Sequence, residues 1–121
     1  MSRPTEIVNA QIKRTMLGFE DHGIFTAFLF VEWPGSGCGF GGYHLGKDVP
    51  DESKGYGAAF IQRILRTVGV EKWEELQGKY IRVESEGLGG GIRRIGHIIE
   101  DKWFDPKALA DEFRGKNDPA N

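Results

Sequence analysis

The ten residues Pro34-Gly35-Ser36-Gly37-Cys38-Gly39-Phe40-Gly41-Gly42-Tyr43 place five glycines, a lone thiol and two aromatic rings directly after an apolar run. Residues without a side chain let backbone N–H groups approach a ligand closely and reach φ > 0. Phe40 and Tyr43 add flat apolar faces, so a loop of this composition offers amides such as that of Gly41 to an anion and a platform to a ring. The competing reading is a glycine-rich turn whose two rings plug the core.

Further along, Arg82 alternates with Ile81 and Val83, while Arg93 and Arg94 open the next β-compatible run. A guanidinium suits phosphate because its planar fork is permanently charged and binds in bidentate fashion. A solvated sheet face is the alternative for each of these arginines. His97, inside an isoleucine-rich run, reads as a hydrogen-bonded structural or pocket histidine. The candidate ligand-binding set is therefore Phe40, Gly41, Tyr43, Arg82, Arg93, Arg94 and His97.

Other chemistries fit less well. Gly37-x-Gly39-x-x-Gly42 has the spacing of a dinucleotide fingerprint, but that motif needs its last glycine to open a helix, and Tyr43 to Lys54 carries Pro50 and no apolar periodicity. A Walker A loop fails for want of a Gly-Lys-Ser/Thr ending. Cys38 with His44 as base is a weak nucleophilic pair. Cys38, His22, His44 and His97 match no zinc spacing, so neither a metal nor a cofactor is expected. The acidic residues fall in groups that read as solvated faces, and no carboxylate pair announces acid–base catalysis.

These side chains must be held by a modest set of elements. Thr5 to Glu20 is β-compatible, with Val8, Ala10, Ile12 and Met16 sharing one parity, and Asp21-His22-Gly23 supplies turn chemistry before a second run from Ile24 to Trp33. That run is apolar at both parities, which predicts that both faces are covered, one by a helix and the other by a further subunit or a second helix. Pro34 to Gly55 reads as a long binding loop. Phe60, Ile61, Ile64, Leu65 and Val68 have amphipathic helical spacing, and Gly69 is placed to end the helix. A short helical turn follows at Glu71 to Leu76.

Lys79 to Glu84 and Ile92 to Ile99 read as a second hairpin around a glycine-rich connection, and a last short helix covers roughly Lys107 to Phe113. The fold class is α+β: an antiparallel sheet of two β-hairpins, one main amphipathic helix and short additional helices, assembled as an oligomer. Residues 1–113 form one ligand-binding domain, and 114–121 are polar enough for a disordered tail.

Sixteen basic against eighteen acidic residues lack the excess of a duplex-DNA binder, so duplex nucleic acid is not an expected partner. A single cysteine and the start Met1-Ser2-Arg3-Pro4 fit a reducing cytoplasm, and no apolar run is long enough to span a bilayer, so no membrane partner is expected.

Five segments taken together resemble a known family: Met16 to Ile24, Gly37 to Tyr43, Val68 to Glu74, Gly78 to Val83 and Ile95 to Phe104. They are similar to the first family of Thoeris anti-defence proteins, small phage-encoded sponges that hold cyclic ADP-ribose immune signals intact, some binding cyclic oligonucleotides as higher oligomers. The likeness spans about residues 12 to 105. It implies a non-enzymatic binder acting in the host cytoplasm, an α+β protomer and pockets near subunit contacts. It assigns no individual contact residue. The other readings are an adaptor for a host protein or single-stranded nucleic acid, through Trp33, Phe40 and Tyr43, and a nucleotide-signal hydrolase using His97 or Cys38.

Overall fold

The computed structural model describes residues 5–19, 23, 25–42, 55–86 and 91–117. Strands β1 (Glu6–Phe19), β2 (Phe25–Trp33) and β3 (Ser36–Gly42) precede helix α1 (Tyr56–Val68). A 3₁₀ turn at Trp73–Glu75, strands β4 (Tyr80–Ser85), β5 (Ile92–Gly96) and β6 (Trp103–Phe104), and helix α2 (Pro106–Asn117) follow. All the described strands join one antiparallel sheet in the order β3-β2-β1-β4-β5-β6. The α+β class and the antiparallel sheet hold: the two expected hairpins, β1–β2 and β4–β5, are joined through β1 and β4, and β3 and β6 extend the sheet at its two edges.

Both helices lie against one sheet face. Tyr56, Phe60, Ile64 and Val68 of α1 and Leu109 and Phe113 of α2 meet Ala10 and Ile12 of β1, Leu29 and Val31 of β2, Ile81 and Val83 of β4 and Ile95 of β5. α1 starts four residues before its apolar pattern does, because Gly55 at φ 83 turns the chain into it, and it stops at Gly69, φ 92, whose N–H reaches the Leu65 carbonyl. α2 runs to Asn117, so the segment expected as a tail from Arg114 begins as helix, and 118–121 lie outside the described residues.

Two corrections bear on the site. The pairing Ile12↔Val31 is followed by Arg14↔Phe30, so Lys13 is an extra residue that flips the parity of β1. Met16 consequently leaves the face of Val8, Ala10 and Ile12, and Thr15 and Leu17 take its place opposite Leu29 and Ala27. Secondly, Pro34 and Gly35, the latter at φ 84, form a tight turn, and the glycine-rich run beyond them is strand rather than loop. Residues 43–54 of the expected loop lie outside the described set.

The β3 glycines also answer why β2 is apolar at both parities. Gly39 pairs with Phe30 and Gly41 with Phe28, and the Phe28 ring lies across both glycines, where a Cβ at Gly39 would overlap its Cζ. Phe28 and Phe30 are thereby half-buried within one chain, and Arg14 sits 4.8 Å over the Phe30 ring.

Candidate functional site

The period-two glycines settle the fate of the leading sequence motif. Cys38 and Phe40 point to the helix side opposite Val31 and Leu29. Phe40 is only 4% exposed and meets Phe104 edge-on at 6.0 Å, so it is a core residue and offers no stacking face. Gly41 is a rung of the sheet ladder packed beneath Phe28, and is not part of an amide cradle. Both are withdrawn from the expected binding set. Tyr43 lies outside the described residues.

The arginines do converge, around a centre that the sequence motifs did not flag. Arg82, Gly96 and Trp103 form one row across β4, β5 and β6. The Trp103 indole lies flat over Gly96, where a side chain on that residue would come within 2.6 Å of the ring, and its N–H donates to Asp101 Oδ1 at 2.9 Å. The guanidinium of Arg94 sits 4.2 Å from the indole centroid and that of Arg82 4.9 Å. Two cations thus share one ring, the most favourable aromatic for such a contact.

Each guanidinium has a partner. Arg82 donates through Nε to the His97 carbonyl and through a terminal nitrogen to the Glu100 carbonyl, both at 2.7 Å, so it braces the turn between β5 and β6. Arg94 donates through Nε to Glu84 Oε1, and Arg93 reaches Glu84 Oε2 at 3.5 Å. The Glu84 side chain is 7% exposed. Its hydrogen bond from Arg94, then one from the Thr5 hydroxyl, hold the carboxyl below the usual carboxylate range against the opposing effect of burial. His97 is a bracing residue: its Nδ1 accepts the backbone N–H of Ile99 at 3.0 Å and of Glu100 at 2.9 Å. Arg82 and His97 therefore shape the site from behind.

A cleft of about 370 Å³ opens where the β5–β6 edge meets the two helices. Its walls carry Arg63 from α1, Arg93 and Arg94 from β5, the Trp103 ring, and Ala108, Leu109 and Glu112 from α2, with Glu84 behind the arginines. Arg63 pairs with Glu112 at 3.6 Å, both side chains being 43% exposed. Asp105, on the rim, is committed to capping α2 through Lys107 N–H at 2.9 Å. The size is that of small-molecule sites, and the lining joins one large ring to three guanidiniums whose counter-charges are carboxylates. An anion entering here would exchange with those carboxylates.

Arg93 and Arg94 stay in the candidate set, and Arg63, Glu84 and Trp103 join it. The signal for Trp103 was faint: a tryptophan two residues after an acid, at the register of a strand glycine. Nothing in the sequence singles out Arg63, which falls between the apolar positions Ile61 and Ile64 of the helical pattern. Among the described residues no three His, Cys, Asp or Glu side chains gather to hold a metal ion, and no helix is long and apolar enough to cross a membrane. The chain matches no family model, no curated protein and no solved structure.

Proposed function

We propose that this protein is a non-enzymatic binder that sequesters a nucleotide-like immune signal of the cyclic ADP-ribose class, as the resemblance of its five segments implies, acting in the cytoplasm of a phage's host. The observation that carries the reading is the Trp103 ring set among Arg63, Arg93 and Arg94 in one cleft. A purine or ribose has the guanidiniums stacked on the Trp103 indole to lie against, and a pyrophosphate has guanidinium forks to replace the Glu84 and Glu112 carboxylates.

The same proposal includes a homo-oligomer. Support comes from the far end of the β1–β2 hairpin, where Leu17 and Phe19 are exposed on the helix-side face beyond the helices and Phe19 pairs with Phe25 at 5.3 Å between centroids. Exposed rings of this kind mark contact surfaces.

Titration calorimetry with the cyclic ADP-ribose isomers, followed by chromatography of the ligand recovered after heating the complex, tests the reading. Micromolar affinity with the ligand returned intact is expected. No heat at micromolar protein rejects it, and an altered ligand makes the protein a hydrolase instead.

A further inference from the structure

The sheet face turned away from the helices extends the row of Arg82, Gly96 and Trp103 into a further arrangement on β1, β2 and β4. Tyr80 stands 61% exposed at the start of β4, in one row with Gln11 of β1 and Glu32 of β2. Asn9, one row on, pairs with Arg82. Between Tyr80 and the Trp33-Pro34 corner lies an open trough of about 520 Å³ with Asn9, Gln11 and Lys13 along it. Gln11 donates its Nε2 to the Gly78 carbonyl at 3.1 Å, which fixes the direction of its amide. Beyond the trough, Arg14 lies over Phe30 and Arg82 over Trp103.

We infer that this open face is a stacking platform for single-stranded nucleic acid. Three features of the face select that partner. Bare Tyr80 and the guanidinium planes laid over Phe30 and Trp103 are surfaces on which unpaired bases stack regardless of sequence. Asn9 and Gln11, between them, present the paired donor and acceptor that a base edge meets. The charge also fits: along the strands of this face Lys13, Arg14, Arg82 and Arg94 stand against Glu32 and Glu84, on a chain whose formal net charge is −2. A polyanion is therefore drawn to this face and not to the molecule as a whole.

Fluorescence anisotropy with labelled dodecauridylate and dodecathymidylate, at two salt concentrations, reads the binding. Both oligomers bind, more weakly at higher salt, and Tyr80→Ala weakens them by roughly five- to a hundredfold while Tyr80→Phe, which keeps the ring, does not. Arg14→Gln lowers the logarithmic salt slope by about 0.7. Arg63→Ala, on α1 and so on the helix side of the sheet, leaves oligonucleotide affinity unchanged. The inference fails if no anisotropy change occurs up to about 10⁻⁴ M protein at low salt, the range of non-specific binding. It fails equally if Tyr80→Ala binds like the parent, or if Arg63→Ala abolishes binding and so moves the oligonucleotide into the cleft. Sedimentation of Tyr80→Ala without nucleic acid gives the last arm: conversion of an oligomer to a smaller species assigns the face to a second copy and overturns the inference.

Discussion

The ring of Phe28 occupies the space that any side chain at Gly39 would need, so a bulky apolar residue on β2 and an absent side chain on β3 form one packing unit. Gly39→Ala should therefore cost about 1–3 kcal/mol through displacement of the ring. Gly41→Ala should cost at least as much, because a Cβ there meets backbone, lying 2.7 Å from Phe28 Cα, and backbone yields less readily than a ring. A urea-unfolding cycle pairing Gly39→Ala with Phe28→Ala should show favourable coupling of about 0.5 kcal/mol or more; additive effects would place the ring elsewhere.

Phe40→Ala should act on stability, with a loss of about 3–5 kcal/mol, because the ring is sunk in the core against Phe104. A chemical denaturation midpoint close to that of the parent, with ligand affinity reduced, would restore Phe40 to the binding site.

Glu84 ties stability to acidity. Its folded-state pKa lies below its unfolded value, chiefly through the Arg94 hydrogen bond, so the stabilisation it contributes is present above the ordinary glutamate range, about 4.3, and is lost as pH falls through the lower folded value. Glu84→Gln should destabilise the protein at neutral pH by about 1–3 kcal/mol and flatten the fall in melting temperature on the acid side. Parallel acid profiles for parent and variant would remove Glu84 from this role.

Arg63→Ala separates binding from folding. Its pair with Glu112 is half-exposed, so stability should change by less than about 1 kcal/mol. Calorimetry with a cyclic ADP-ribose isomer should show affinity falling by about tenfold, the loss of one charge-assisted contact. Unchanged affinity would exclude this rim of the cleft from the proposed site.

Much of the scaffold was legible because its signals are local. The spacing of Phe60, Ile64 and Val68 before Gly69 marks α1, and the break expected around Gly23 falls between the end of β1 at Phe19 and the start of β2 at Phe25. The site was harder to see, since its parts meet only through sheet register. Nothing local in Trp103 says that it lies over Gly96, and nothing in Glu84 says that two arginines of the next strand close on it. The bulge at Lys13 moved Met16 to the other face without a glycine to betray it. The glycine run reads as a loop for a different reason: Gly37, Gly39 and Gly41 repeat every second residue, the period of a strand, but their bulky complement sits on β2.

One imidazole ties the helical layer to the indole. His97 holds the amides of Ile99 and Glu100, Arg82 grips the two carbonyls of the same turn, and a Cβ at Gly69 would stand 3.3 Å from His97 Nε2. The C-terminal end of α1 and the approach to β6 are thus close neighbours, with little room for a side chain between Gly69 and the imidazole. Deuterium uptake at Ile99 and Glu100 should keep pace with that at the end of α1, and an occupant of the cleft should slow both at once, so that capture is felt as a single tightening across the molecule.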